Sequence, residues 1–283
     1  IFNTRRCMAV KGRIIRRRII SYILTFILML CIMGISLIGM GKYSMFSERA
    51  VFHAYDKVGL FTKICSELKE EAYNIGIPYG IESNDLNGVF IRKNAMRDLM
   101  ATLSADINEE KAVINTSYIK TKITRNIKKQ YKGKLTDEQQ KSLDEYINKV
   151  EKIYQKKMVI PCSEYIAKMI NIFTKLFLIG IPVCVLIAIL CMFYLVASRS
   201  KTYRGMRYIA YGVLGAGVTL LTLFAALISN GFIYKFNISD AYMRRFFTYY
   251  VGHEFLMQVI MGIILMVIGV ILVFIISRKK FRN

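Results

Sequence analysis

Four apolar stretches, each free of charged side chains, constrain this chain more than any other feature. They cover residues 19–40, 176–197, 208–228 and 255–277. A helix needs roughly 20 apolar residues to cross a hydrocarbon core of ~30 Å, and each stretch meets that length. Buried helices of water-soluble proteins rarely run so far without a charge. A cleaved leader is the alternative for the first stretch. Its apolar run is longer than such leaders carry, and no small-residue cleavage site follows in Gly41-Lys42-Tyr43-Ser44.

The formal net charge of +22, from 41 Lys/Arg against 19 Asp/Glu, would suggest a nucleic-acid binder in a water-soluble protein. A mean hydropathy of +0.37 argues instead for a lipid bilayer as the surrounding medium, with no nucleic-acid partner. The placement of the cations supports that reading. Arg5, Arg6, Lys11, Arg13, Arg16, Arg17 and Arg18 precede the first stretch. Arg199, Lys201, Arg204 and Arg207 separate the second from the third, and Arg278, Lys279, Lys280 and Arg282 follow the fourth. None of these strips contains an acid. Basic residues in short loops stay on the cytoplasmic side, so both termini and the 198–207 loop are expected there.

The expected fold is an all-α membrane protein with four transmembrane helices and an extracytoplasmic, mainly helical domain between helices 1 and 2. In order, this gives a basic cytoplasmic N-terminus (1–18), the first span (19–41), the outside domain (42–170) and the second span (171–197). A cytoplasmic loop (198–207), the third span (208–229), an outside amphipathic loop (230–253), the fourth span (254–277) and a cytoplasmic tail (278–283) complete it. The expected location is the cell membrane. Met8-Ala9-Val10-Lys11 reads as a natural start, which makes residues 1–7 an upstream extension. Enrichment in Ile, Lys, Asn, Tyr and Met without Trp points to an AT-rich genome and a bacterium with one membrane.

Residues 43–168 carry 21 basic and 17 acidic side chains, polar enough to fold in water. Val51, Ala54, Val58, Phe61, Cys65, Leu68, Ala72 and Ile75 repeat in steps of three and four, which predicts one long helix running straight on from the first span. Asn94 is placed to cap a helix bearing Leu99, Met100, Leu103 and Ile107. Ile119, Ile123, Ile127 and Tyr131 mark a further helix, stopped near Gly133. Thr136-Asp137-Glu138-Gln139 is a capping box opening a helix whose apolar face is Leu143, Tyr146, Ile147, Val150, Ile153 and Tyr154. These stripes read first as the core of a small bundle, and second as a partner or self-association interface. Residues 76–93 are rich in Gly, Pro, Asn and Asp. Asn87-Gly88 before Val89-Phe90-Ile91 signals a hairpin, and a loop of this composition is either a connection or a carrier of binding contacts.

The search for chemistry returns little. His53 and His253 are the two histidines, and no H-E-x-x-H, C-x-x-C or phosphate-binding glycine loop occurs. No catalytic residue, cofactor or metal ligand is therefore expected. His253-Glu254, at the mouth of the fourth span, reads as a solvated interfacial pair, with pH sensing as the alternative. Cys65 and Cys162 are the two cysteines expected outside, where a disulfide is possible if the chain folds back. Gly212, Gly215, Ala216 and Gly217 give the third span a small face for helix packing, and Gly262 and Gly269 do so for the fourth. Gly180 and Pro182 are positioned to bend the second, and residues 233–250 read as an amphipathic segment on the outer leaflet or a cap on the outside domain.

In layout alone the chain resembles the FtsX- and MacB-like permease subunits, which have one span, a large outside domain and three further spans. That likeness implies a cytoplasmic ATPase partner touching Arg199, Lys201, Arg204 and Arg207. The loop lacks the acidic residue and the following Gly-Ala of those permeases, so the likeness covers layout and not residues. Claudin-like tetraspan proteins share the layout too, but their first outside loop has a Trp-based signature and this chain has no Trp. The leading expectation is a non-enzymatic multi-pass protein whose outside domain binds a protein partner, a second copy of itself or a signal. The ATPase-coupled permease or accessory subunit is the alternative.

Overall fold

The computed structural model describes residues 2–130, 136–159, 163–199, 202–235, 238 and 241–282, without the side chains of 2–14, 130 and 279–282. Helices dominate, and no strand occurs among the described residues. They are α1 (Phe2–Ser44), α2 (Glu48–Lys57), α3 (Leu60–Gly76), α4 (Arg92–Asn108), α5 (Ser117–Gln130), α6 (Asp137–Lys157), α7 (Ser163–Lys175), α8 (Ile181–Ala197), α9 (Thr202–Ser229) and α10 (Ala241–Arg282). The chain divides into two compact units, one of Ile1–Ser47 with Ile172–Asn283 and the other of Glu48–Asn171.

Four helical stretches are long and apolar enough to cross a membrane: Ile15–Ser44, Ser163–Ala197, Thr202–Ser229 and Ala241–Arg278, the second of which begins in the Glu48–Asn171 unit and the others of which lie in the first unit. Only 11% to 22% of the most apolar window of each is buried. Large apolar side chains such as Leu178 and Phe193 are more than 70% exposed, which water would penalise and hydrocarbon would not. The buried minority holds the helices together. Leu28 and Cys31 of α1 pack with Ala188, Cys191 and Leu195 of α8. Ala216, Leu220 and Phe224 of α9 pack with Leu265 of α10. Polar residues inside these helices are satisfied locally: the hydroxyls of Ser21, Thr25, Ser36 and Thr222 each donate to the carbonyl four residues back.

The bend expected at Gly180 and Pro182 takes the form of a π-turn at Leu176–Gly180, directly before the proline. The wider turn places Pro182 in the first turn of α8, where its missing N–H costs little. Within the stretch expected as an amphipathic segment, Phe232–Lys235 forms a 3₁₀ turn with Tyr234 78% exposed, and Ala241–Tyr250 is the start of α10 itself. Phe246 and Tyr250 stack at 5.0 Å and are buried, and the Tyr250 hydroxyl donates to the Met45 carbonyl.

In the second unit α3 packs on α4 and α6, α5 on α6, and α2 on α3 and α4. Its core includes Val51, Phe52, Tyr55, Phe61, Leu68, Leu99, Leu103, Ile119, Ile123, Tyr146, Ile147, Val150 and Tyr154. The stripe from Val51 to Ile75 does not continue α1 as one helix. The chain breaks after Ser44 and again at Gly59, whose φ of 75° is a left-handed conformation that glycine adopts without strain. Val51 and Ala54 on α2, and Phe61, Leu68 and Ala72 on α3, still reach the core from two helices instead of one. Asn94 caps nothing: α4 begins after extended Ile91, whose carbonyl accepts the backbone N–H groups of Asn94 and Ala95. The Thr136 capping box is present in both directions. Tyr131 and Gly133 lie outside the described residues.

Candidate functional site

Residues 76–93 form a packed connection, and the hairpin expected at Asn87-Gly88 is absent. Gly88 has φ 68° in a run of turns that pairs with no strand. Leu86 and Val89 fill the core, while Asp85 Oδ2 accepts the Glu82 backbone N–H at 2.9 Å. Asn126 on α5 clamps the segment by donating to the carbonyls of Asp85 (2.7 Å) and Asn87 (3.1 Å). At its start, Gly80 N–H bonds to Ile77 O and Ile81 N–H to Gly76 O, closing the end of α3. A Cβ at Gly76 would stand 2.8 Å from Ile81 Cβ, so only glycine permits this turn.

Beside the turn lies a cleft of about 310 Å³ lined by Pro78, Tyr79, Ile81, Ile127, Glu138, Gln139, Ser142 and Leu143. Its floor is apolar and its rim polar, a combination that suits a side chain or short segment of another molecule. Gln139 is committed to the α6 cap, which fixes that wall. Tyr79 is held by two bonds: its hydroxyl donates to Glu145 at 2.9 Å and accepts from Lys149 at 2.7 Å. The hydrogen bond to Tyr79 pushes the Lys149 pKa up, and the one from Lys149 lowers that of Glu145. None of the described lining residues pairs a nucleophile with a base.

Elsewhere in the second unit lies a relay that the residue pattern did not disclose. Tyr118 donates to Tyr154 at 2.6 Å, and Tyr154 donates to Asp98 at 2.7 Å. Asp98 is 4% exposed and ends the chain as its acceptor, with Arg97 Nε donating at 3.0 Å from the surface side. Burial raises the Tyr118 pKa to about 12 and pushes Tyr154 higher still. Ala95, Asp98 and Thr102 lie three and four residues apart on one face and are all buried. An acid inside that spacing was the available signal.

In the first unit, Glu254 corrects the expectation of a solvated pair with His253. Glu254 is 8% exposed and Gln258, one turn on, 0%. Gln258 Nε2 donates to Glu254 Oε1 at 2.6 Å, and Ser44 of α1 bonds to its other oxygen. His253 stacks on Tyr249 instead. Buried polar residues pair with one another, here along α10 through Gln258 and across to α1 through Ser44. Glu254→Ala is expected to destabilise the unit by about 1–3 kcal/mol, because it strands the buried Gln258 amide. Glu254→Gln, which keeps an acceptor, should keep most of the stability; thermal melts in detergent would read the difference.

The remaining expected residues are placed as follows. Arg199 turns inward: its Nη2 donates to buried Ser21 of α1 at 2.8 Å, and its guanidinium lies 5.2 Å over the Tyr208 ring. Arg204 and Arg207 flank the Tyr203 ring at 5.9 and 5.8 Å, while Lys201 lies outside the described residues. Arg199 thus joins α1 and α9. A Cβ on Gly212 would meet Leu28 and Thr25 of α1 at 3.3 and 3.4 Å, and one on Gly215 would meet Met29 at 3.0 Å. Gly217 faces α10, and Ala216 is buried beside it. Cys65 is half-buried on α3, where burial raises its thiol pKa; Cys162 lies outside the described residues, and so does any bridge between them. Among known proteins, no family, no curated protein and no solved structure matches the chain.

Proposed function

We propose that this chain is a non-enzymatic multi-pass membrane protein that holds a helical partner-binding domain against a bilayer. Four apolar helices support the membrane part of the reading. The fifteen Lys/Arg of residues 1–18, 198–207 and 278–283, with no acid among them, support cytoplasmic termini and an outside position for residues 48–171. The cleft beside Tyr79 carries the binding part, being an apolar floor with a polar rim on a rigidly capped helix. Its occupant is a protein segment presenting an apolar side chain, from another protein or a second copy.

A photo-crosslinking residue at Glu138, in the full-length chain in its native membrane, tests this reading. The expected result is one protein adduct that disappears when Ser142→Trp fills the cleft. An adduct indifferent to Ser142→Trp, or none, would remove the cleft as a partner site. The ATPase-coupled alternative rests, among the described residues of the 198–207 loop, on exposed Arg204 and half-buried Arg207, which flank Tyr203. It requires a co-purifying ATPase that is lost on Arg204→Glu.

A further inference from the structure

The outer face of α5 is a second binding surface, of a different chemistry from the cleft. Ile119, Ile123 and Ile127 are 0–3% exposed and fix which side of α5 faces the core. The opposite side forms a shallow trough lined by Ser117, Lys120, Thr121, Thr124, Arg125, Lys128 and Lys129. No acid occurs in α5. The surrounding residues 111–136 hold eight of the 21 Lys/Arg of residues 43–168 and none of their 17 Asp/Glu. The charge of this domain is thus segregated, and one helix carries the positive end.

Elsewhere in the unit five cations are paired with acids: Lys63 with Glu67, Arg92 with Asp56, Arg97 with Asp98, Lys149 with Glu145, and Lys157 with Glu67 and Glu71, while exposed lysines such as Lys141, Lys152 and Lys156 stand singly among the acids of α6. Among the described residues Lys120, Arg125, Lys128 and Lys129 have no such ion pair. Lys122 is different, because its stem passes over Gly88 and the packed turn. Like charges one turn apart repel, so an uncompensated row costs stability unless an anion answers it.

We propose that this row docks on the phosphate headgroups of an anionic bilayer. A cavity for one phosphate would draw several donors to a point, whereas these cations are spread along the helix. Lys120 and Lys128 are eight residues apart, about 12 Å along the axis, and present separate point charges to a plane. Of the trough's hydroxyls, those of Ser117 and Thr121 already donate to Asn115 and to the Ser117 carbonyl, so the charges carry the contact. The bilayer is also the polyanion always within reach, because the unit is bounded on both sides in the chain by helices apolar enough to span it.

The test uses the full-length chain in phosphatidylcholine nanodiscs, mixed with vesicles of phosphatidylcholine with or without phosphatidylglycerol. Binding to the anionic vesicles should fall about 100-fold in Lys120→Gln/Lys128→Gln/Lys129→Gln. It should survive in Lys120→Arg/Lys128→Arg/Lys129→Arg, and in Lys141→Gln/Lys152→Gln/Lys156→Gln, which removes equal charge from exposed sites on α6. Helical circular dichroism and the thermal transition, expected unchanged, report the fold of each. Equal losses in the α5 and α6 glutamine variants would overturn the proposal, since net charge alone would then act. So would tight binding of soluble inorganic polyphosphate or an acidic peptide through the α5 lysines without vesicle binding.

Discussion

Gly262→Leu is expected to separate α9 from α10 and abolish the cooperative unfolding transition of the apolar bundle. A Cβ at Gly262 would lie 2.8 Å from the Leu221 backbone nitrogen and 3.0 Å from the Gly217 carbonyl. From the other helix, a Cβ at Gly217 would lie 2.8 Å from Met266 N and 2.9 Å from Gly262 O. Both obstacles are backbone, so no rotamer change relieves them and the helices must move apart. Hydrocarbon offers no hydrophobic drive to bring them back, and close packing is the main attraction lost. The cost is about 3 kcal/mol. Gly231→Ala serves as a contrast: its φ of 60° strains the turn, but the nearest atom is 3.7 Å away on the Tyr234 ring. It should cost about 1 kcal/mol and leave α9 on α10. Melting of the detergent-solubilised chain, followed by crosslinking between cysteines introduced at Leu221 and Met266, would distinguish loss of stability from loss of the contact.

The second large effect is expected at Asp98. Asp98→Ala removes the acceptor that ends the Tyr118–Tyr154 relay and leaves a buried phenol without its bond, at a cost of about 3 kcal/mol. Arg97→Ala should cost under about 1 kcal/mol, because the Arg97 side chain is 60% exposed and water screens the pair. The same buried phenols set an alkaline limit. Below about pH 10 Tyr118 and Tyr154 are neutral whether the chain is folded or not. Above it the unfolded chain loses their protons while the folded one holds them, up to about 12 for Tyr118. Stability is therefore full below pH 10 and falls between pH 10 and 12, by up to about 1.4 kcal/mol per pH unit for each tyrosine. Tyr118→Phe should flatten that slope in denaturant titrations. An unchanged slope would mean that the relay does not protect its protons.

The difference between what the residues disclosed and what they hid follows from the range of the interactions. Apolar length is a local property, so the four candidate spans could be placed from composition alone. The Thr136 cap is equally local, needing only Thr136 and Gln139, three residues apart, and it was legible. The break at Gly59 was not, because the three-to-four repeat carries through it: Ala54 and Phe61 reach one core from two helices. Asn87-Gly88 has the chemistry of a hairpin turn, but a hairpin needs a partner strand, and Asn126, 39 residues away in sequence, takes the carbonyl of Asn87 instead. Glu254 adjoins the apolar stretch 255–277 and resembled an edge residue. Its burial depends on Ser44, which is 210 residues distant. The cleft beside Tyr79 was foreshadowed by the breakers at Pro78 and Gly80, although its walls on α5 and α6 were not. The basic face of α5 was spread too thinly along the chain to stand out until Ile119, Ile123 and Ile127 showed which side was inward.

The central claim is that residues 48–171 stand on the far side of the membrane from both termini and the 198–207 loop. Labelling of intact cells with a membrane-impermeant maleimide tests it most directly, using the full-length chain with Cys7, Cys65 and Cys162 changed to serine. Ser83→Cys, exposed on the connection after α3, should label in intact cells. Thr202→Cys, exposed at the start of α9, should label only after the membrane is permeabilised. Labelling of Thr202→Cys in intact cells with protection of Ser83→Cys would contradict the account.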